Sequence, residues 1–152
     1  MDITWLKLPG DARTERIAVG GGIWHADNMA KVADAGITHI IDMQIEFDDT
    51  ELAAAQDIEV LWNPTDDDFE RKPRSLFQNG VEFARAALEE PDAKVFIHCA
   101  AGVHRAPMMA LAVLCSTGDM SVDEAMQLIE DQRPVADFAD VYVQSVREFL
   151  GE

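Results

Sequence analysis

Short apolar runs alternate along the chain with longer segments in which apolar residues recur at helical spacing. Runs rich in Ile and Val that lack a polar face indicate buried strands. Four such runs occur, at Arg16–Gly21, Ile37–Met43, Ile58–Pro64 and Ala93–His98. Segments with helical spacing separate and follow them, at Ala26–Gly36, Asp48–Asp57, Pro73–Glu90, Arg105–Gly118, Ser121–Pro134 and Phe138–Leu150. The pattern predicts strands and helices in alternation.

The alternation of buried strands and helices defines the expected fold class. A strand that is apolar on both faces needs a layer on each side, and helices between successive strands allow the strands to run parallel. We therefore expect a single α/β domain over residues 1–152, with a mostly parallel central sheet flanked by helices. Ser121 and Glu124 form a capping box, which marks the start of one of these helices.

The net charge of the chain limits the kinds of molecule that can bind to its surface. Twelve Lys and Arg residues stand against 29 Asp and Glu residues, giving a net charge of −17. Such a surface repels nucleic acids and anionic lipids, so we expect neither a nucleic acid nor a membrane as partner. The longest apolar run, Ala106–Cys115, is far shorter than the ~20 residues of a membrane span. The chain starts without a signal-peptide pattern and has only two cysteines, so a cytoplasmic location is expected.

The stretch Phe96–Pro107, FIHCAAGVHRAP, joins the end of an apolar strand to a cysteine and to an arginine six positions on. Ligands of open α/β sheets bind at the carboxyl ends of strands, where the N–H groups that open the next helix attract anions. Gly102 allows the loop to close around an anion, and Arg105 can bind two oxygens of a phosphate. The same positive field favours the thiolate of Cys99. The stretch therefore predicts a nucleophilic cysteine beneath a bound phosphate.

Cys99 and the two histidines near it could also have simpler roles. Cys99 could be a structural thiol in the core, although such a thiol has no need of Gly102 and Arg105 at this spacing. His98, Cys99 and His104 could bind zinc, but they lack the paired spacings of structural zinc sites, so no metal is expected. We expect His98 to support the loop by hydrogen bonding and His104 to face the substrate at its rim.

The pattern His98-Cys99-x5-Arg105 resembles the phosphate-binding loop of cysteine-dependent protein phosphatases, and most of all that of their small dual-specificity branch. The segments IAVGGGIWHADNMAKVADAGITHIIDM and SVDEAMQLIEDQRP are similar to that family's opening strand, helix and strand and to its helix before an Arg-Pro pair. The resemblance covers residues 16–150 and implies a mostly parallel sheet flanked by helices. It also implies hydrolysis of phosphotyrosine, with phosphoserine and phosphothreonine as further substrates, through a cysteinyl-phosphate intermediate and without a cofactor.

The resemblance also assigns roles to individual residues. It places the substrate phosphate on a loop formed by Ala100, Ala101, Gly102, Val103, His104 and Arg105. The family uses an aspartate, on the loop before the long helix, as the general acid that protonates the leaving oxygen. Alignment on Phe77 of that helix selects Asp67, with Asp66 and Asp68 as alternatives. The implied substrate is a phosphorylated protein or a small phosphomonoester.

Ala106 departs from the family pattern, which usually has Ser or Thr directly after the arginine. In the family that hydroxyl stabilises the cysteine thiolate as it leaves in the second step. The alternative to an active phosphatase is therefore a weakly active or inactive module that binds phosphorylated partners. A sulfurtransferase is a third hypothesis, which Asp67 disfavours because a general acid suits phosphoryl transfer. The loop carries no lysine, and with the net charge of −17 this disfavours polyanionic substrates such as phosphoinositides.

Overall fold

A computed structural model describes residues 2–10 and 15–152 of the chain. The strands are β1 (Ile3–Trp5), β2 (Ile17–Gly20), β3 (His39–Gln44), β4 (Glu59–Thr65) and β5 (Val95–His98). The helices are α1 (Ala26–Asp34), α2 (Thr50–Ala54), α3 (Arg74–Leu88), α4 (Arg105–Thr117), α5 (Val122–Gln132) and α6 (Asp140–Leu150). Each predicted strand and helix is confirmed, with ends that differ by at most three residues. No helix within the described ranges is long and apolar enough to cross a membrane.

The strands form one sheet in the order β1-β2-β5-β3-β4. The strands β2, β5, β3 and β4 run parallel, and β1 pairs antiparallel with β2 at one edge. The mostly parallel α/β architecture expected from the sequence is therefore confirmed. The sequence did not predict β1, because three half-buried residues are too few to produce a readable alternation.

Each central strand divides its side chains between two cores, as the two-residue period of a strand requires. Val95 and Ile97 of β5 belong to a larger core with α3, α4, α5 and α6, whereas Phe96 belongs to a smaller core with α1 and α2. Helix α4 runs through the larger core, since every residue from Arg105 to Leu114 is buried. This packing fixes the first turn of α4, and with it the loop that precedes the helix.

The carboxyl ends of the parallel strands lie along the same edge of the sheet, which is where ligands of open α/β sheets bind. At the centre, β5 ends at His98, directly before Cys99. Its neighbours β2 and β3 end at Gly20 and Gln44, and β4 ends at Thr65. The sheet thus brings the loops that carry the predicted site residues to one place.

Candidate active site

The thiol of Cys99 lies between the end of β5 and the first turn of α4. Its Sγ accepts a hydrogen bond from the backbone N–H of Ala106 at 3.3 Å, and the residue is 2% exposed. Helix α4 has 13 residues, and its N-terminus carries a partial positive charge that favours an anion here. A backbone donor and a helix terminus therefore both stabilise the thiolate form of Cys99.

The four backbone carbonyl groups of residues 100–103 all accept hydrogen bonds from residues outside the loop. The N–H of Gly22 donates to the carbonyl of Ala100 at 2.9 Å, and the N–H of Asp137 donates to the carbonyl of Val103 at 2.8 Å. Arg133 donates to the two carbonyls between them, from Nη2 to Ala101 at 3.4 Å and from Nε to Gly102 at 2.8 Å. A trans peptide points its N–H away from its carbonyl, so the N–H groups of residues 101–104 face the centre of the loop.

Gly102 adopts a backbone conformation that glycine tolerates best, with φ at +69° in the left-handed region. A Cβ at this position would lie 2.3 Å from Nη2 of Arg133 and 2.6 Å from the carbonyl carbon of Gly20. The absence of a side chain therefore allows the loop to close against both β2 and Arg133.

Arg133 supports the loop from beneath and is itself held by the N-terminal segment. It is 2% exposed, and its Nη1 donates to Asp2 Oδ1 at 3.0 Å and to Thr4 Oγ1 at 2.9 Å. Hydrogen bonding to Arg133 lowers the pKa of Asp2 below its ordinary value. Sequence reasoning did not select Arg133 as a site residue, although the Arg-Pro pair at the end of α5 was the available signal.

Arg105 is anchored by Glu46, a residue that sequence reasoning missed. The two carboxylate oxygens of Glu46 accept from Nη1 at 2.6 Å and from Nη2 at 2.8 Å, and the carbonyl of Thr65 accepts from Nη1 at 2.8 Å. These hydrogen bonds lower the pKa of Glu46 and raise the pKa of Arg105. The guanidinium is therefore charged and fixed in orientation before any ligand binds.

Two N–H groups of Arg105 remain for a ligand. A guanidinium has five N–H donors, of which Glu46 and Thr65 occupy three. One donor is left on Nη2 and one on Nε, and Nε is buried without a hydrogen-bond partner among residues 2–10 and 15–152. A buried donor without an acceptor costs free energy, and a phosphate could satisfy both donors with two of its oxygens.

Asp67 lies on the loop after β4, beside the loop that follows Cys99. Its Oδ1 accepts a hydrogen bond from the hydroxyl of Tyr142 at 2.9 Å, and its Oδ2 lies 2.9 Å from Nδ1 of His104. Burial, with a smaller contribution from Asp67, raises the pKa of Tyr142 to about 12, so the phenol keeps its proton and donates. The structure thus places Asp67 in contact with His104, one of the predicted phosphate-loop residues.

Lys72 contacts both neighbouring aspartates, Asp68 through its carboxylate and Asp66 through its backbone carbonyl. Its Nζ lies 2.8 Å from Oδ1 of Asp68 and 2.7 Å from the backbone oxygen of Asp66. Hydrogen bonding from Lys72 lowers the pKa of Asp68, which makes that carboxylate a poor proton donor. Lys72 thus holds the carboxylate of Asp68 and the backbone of Asp66, whereas the carboxylate of Asp67 is the one in contact with His104 of the predicted phosphate loop.

His98 lies behind Cys99 in a cluster with Asp42 and Asp49, and all three side chains are fully buried. Its Nε2 contacts the carboxylate of Asp49 and lies 3.8 Å from Oδ1 of Asp42, while its Nδ1 is 3.4 Å from the carbonyl oxygen of Cys99. Burial raises the pKa of Asp42 to about 7, with His98 opposing the shift and Asp49 adding to it. His98 thus sits where a supporting residue was expected, but its two acidic partners were not predicted.

The side chains of Asp42, Asp49 and His98 also form the one group, within the described residues, with the spacing of a metal site. Their potential ligand atoms lie within 4.8 Å of one another. Both oxygens of Asp42 already accept backbone N–H groups, from Gln44 at 2.9 Å and from Asp49 at 3.1 Å. His98 is also hydrogen-bonded to Oδ2 of Asp49, while Oδ1 of Asp49 has no partner among the described residues. Because these contacts tie β3 and the N-terminus of α2 to β5, we assign the cluster a structural role behind the loop.

Exposed aromatic side chains lie beside the loop. Phe69 is 51% exposed, and its ring centroid is 5.0 Å from that of His104. Trp24 is 38% exposed, follows the loop-binding Gly22 by two residues, and packs edge-on against Phe47 with centroids 5.5 Å apart. The opening of the site therefore offers flat apolar surfaces next to the anion-binding loop.

Comparison with known protein families identifies the class to which this fold and site belong. Residues 22–150 match the family described as "Dual specificity phosphatase, catalytic domain". The chain therefore belongs to this family of phosphatases, as the resemblance in its sequence implied. Dual specificity protein phosphatase 5 of Rattus norvegicus is 30% identical over 115 residues, which make up 76% of this chain and 29% of that protein. The chain thus spans less than a third of the length of this relative.

The fold is shared by solved structures that include the following two. PTPMT1 in complex with PI(5)P superposes with a TM-score of 0.79 at 20% identity, over 91% of this chain and 90% of that one. Kinase associated phosphatase, with its catalytic site cysteine substituted by serine, superposes with a TM-score of 0.78 at 18% identity, over 98% of this chain and 93% of that one. At these identities the likeness establishes the architecture alone.

Proposed function

We propose that this protein hydrolyses phosphomonoesters, with phosphotyrosine in proteins as the main substrate and phosphoserine and phosphothreonine as further substrates. The observation that carries the proposal is the position of Cys99 Sγ at the N-terminus of α4, within a loop whose N–H groups face inward. The two remaining N–H donors of Arg105 complete the same anion site. Membership of the phosphatase family agrees with this chemistry.

The proposed reaction takes place in two steps on one phosphate. In the first, Sγ of Cys99 attacks phosphorus, the S–P bond forms, the P–O ester bond breaks, and Asp67 gives a proton to the leaving oxygen. In the second, water attacks phosphorus, Asp67 accepts a proton from the water, and sulfur leaves as the thiolate. The N–H of Ala106 and the end of α4 stabilise that thiolate. A positioned acid typically contributes about 10²–10⁴-fold to the first step.

The surroundings of the loop favour an aromatic phosphomonoester over a polyanion. Phe69 and Trp24 present exposed rings beside the loop, on which the ring of a phosphotyrosine can pack. Ala100, Ala101 and Val103 add no positive charge to the loop, so additional phosphates of a substrate have no cation there to bind. PTPMT1 is known in complex with PI(5)P, and a phosphoinositide is for that reason included in the test below.

A module that binds phosphorylated partners without rapid turnover is the second candidate, and Ala106 is the observation that favours it. The residue is fully buried against the loop, and its N–H is the donor to Sγ of Cys99. Its methyl group cannot supply the hydroxyl donor that the family usually places here. This module would use the same anion site, so binding assays alone do not separate the two candidates.

A single-turnover assay of phosphate release tests the proposal. The substrates are phosphotyrosyl, phosphoseryl and phosphothreonyl peptides and a phosphatidylinositol phosphate, each with wild type and Cys99→Ser. We expect release from the phosphotyrosyl peptide by wild type and none by the variant, because a serine hydroxyl is not ionised near neutral pH. Cys115→Ser is the matched control and should retain activity, because burial raises the pKa of that distant thiol to about 11. Binding without release from any substrate would instead establish the second candidate.

A further inference from the structure

His104 lies between two carboxylates, one on each ring nitrogen. Its Nδ1 is 2.9 Å from Oδ2 of Asp67, and its Nε2 is 3.1 Å from Oδ2 of Asp137. The His104 side chain is 21% exposed, and the ring of Phe69 packs edge-on against it with centroids 5.0 Å apart. The other oxygen of Asp67 accepts from Tyr142 at 2.9 Å. The carboxylate of Asp67, the proposed general acid, is therefore hydrogen-bonded at both oxygens. One of its two partners is an imidazole, a group that can gain or lose a proton.

The hydrogen-bond pattern requires a proton on the line between His104 and Asp67. A neutral imidazole has one N–H, whereas an ionised carboxylate only accepts. If the ring donates to Asp137, the contact with Asp67 needs a second proton, which stands either on Nδ1 or on Oδ2. These two arrangements differ by the movement of one proton over a 2.9 Å hydrogen bond. Histidine exchanges its proton within the physiological pH range, which an ordinary aspartate does not.

We propose that His104 is a positioning residue that shares the proton of the general acid with Asp67, and that Asp137 holds the ring in the orientation that makes this possible. The inference rests on the proposed function. In the first step the leaving oxygen takes one proton from the Asp67–His104 pair, and in the second step the attacking water returns one proton to it. The proton for the leaving oxygen is thereby held between two atoms that can each carry it, Oδ2 of Asp67 and Nδ1 of His104.

The charged groups around the pair come from several elements. From α4, the guanidinium of Arg105 interacts electrostatically with Cys99 and with the carboxylate of Asp67. From α6, Tyr142 donates to Asp67 and remains protonated. On the loop after β4, Asp66 and Asp68 flank Asp67 in the sequence, and Asp68 is paired with Lys72 at 2.8 Å.

Asp137 is well placed to orient the ring although its own side chain is 71% exposed. Its backbone N–H donates to the carbonyl of Val103 at 2.8 Å, next to His104 in the chain. The loop after α5 is thereby fixed to the phosphate-binding loop, and the carboxylate of Asp137 is presented to Nε2.

The first test compares His104→Asn with wild type in pH profiles of kcat/KM. Asparagine offers an N–H near the position of Nδ1, so it keeps a hydrogen bond to Asp67 but cannot carry the shared proton. With phenyl phosphate, whose leaving group needs a proton, we expect the alkaline limb to move to lower pH and kcat/KM above neutrality to fall roughly 10-fold or more. With 4-nitrophenyl phosphate, which leaves readily, the change should be small. Asp137→Asn should move the limb in the same direction. His25→Asn, at the exposed histidine that precedes α1, should leave it in place.

A loss of equal size with both substrates at every pH would assign His104 a purely structural role and overturn the inference. A second measurement decides the matter even if the enzyme shows no turnover. The imidazole of His104, identified by the loss of its NMR signals in His104→Asn, is titrated in wild type and in Asp67→Asn. We expect its titration to move to lower pH when the facing carboxylate is removed. An identical titration in both proteins would refute proton sharing, whereas absent phosphatase activity alone would refute only the proposed function.

Discussion

Replacing Asp42 by Asn should remove part of the pH dependence of stability, so that the variant gains stability relative to wild type as pH rises from acid to neutral. The carboxyl is fully buried beside His98 and Asp49, and burial raises its pKa from 3.8 to about 7. Between these values the folded chain keeps a proton that the unfolded chain has lost, so this group lowers stability as pH rises through that range. The difference of about 3 units corresponds to at most about 4 kcal/mol at 1.36 kcal/mol per unit.

Asparagine resembles the protonated acid in shape and does not ionise. Its amide nitrogen cannot accept the backbone N–H that one oxygen of Asp42 accepts, and this loss is the same at every pH. The free energy of unfolding of Asp42→Asn, relative to wild type, should therefore increase from pH 4 to pH 7 by a few kcal/mol and then stay level. Urea unfolding at half-unit pH steps measures this difference. Asp34→Asn on the exposed face of α1 is the control and should give a nearly flat difference. A constant difference for Asp42→Asn, or one that falls as pH rises, would refute the reasoning about the buried cluster.

Three further predictions concern the loop and its acid. Asp67→Asn should lower kcat for a phosphotyrosyl peptide about 10²-fold and matter less for 4-nitrophenyl phosphate; equal losses on both would argue against an acid role. Ala106→Ser should restore a donor worth about 1.5–3 kcal/mol to the leaving thiolate, raise kcat roughly 10- to 150-fold and shrink the stopped-flow burst of aryl release. An unchanged kcat and a parent without a burst would show that breakdown of the intermediate is not limiting. Gly102→Ala should abolish turnover and lower the free energy of unfolding by about 1–2 kcal/mol or more, because its Cβ would lie 2.3 Å from Arg133; wild-type behaviour in denaturation and kinetics would contradict this.

The strands, helices and loop that the sequence predicted are those whose pattern lies within one continuous segment of the chain. The strands β2, β3 and β5 each carry adjacent apolar residues and are buried at every position, and the loop after Cys99 is a short motif whose glycine and arginine stand at fixed positions. The three residues of β1 carry no such period, and their pairing depends on the neighbouring strand. Local patterns therefore located the sheet and the reactive loop but not the antiparallel edge.

The residues that were missed act through contacts between distant parts of the chain. Glu46 holds Arg105 across 59 positions of sequence, and Arg133 reaches the carbonyl of Gly102 across 31. Asp42 comes to lie near His98 only because β3 and β5 are neighbours in the sheet. No periodicity or motif within a single segment encodes such pairs, because tertiary packing alone brings them together.

Attack of Cys99 on phosphorus leaves a covalent intermediate, and trapping that intermediate tests the proposed reaction. Wild-type protein is mixed with radiolabelled phosphotyrosyl peptide, quenched in denaturant at short times and digested, and the label is located by peptide mapping. We predict labelled phosphate on the peptide that contains Cys99 in wild type, and none in Cys99→Ser. Release of phosphate with no label on the chain at any time, or label on a different residue, would contradict the account.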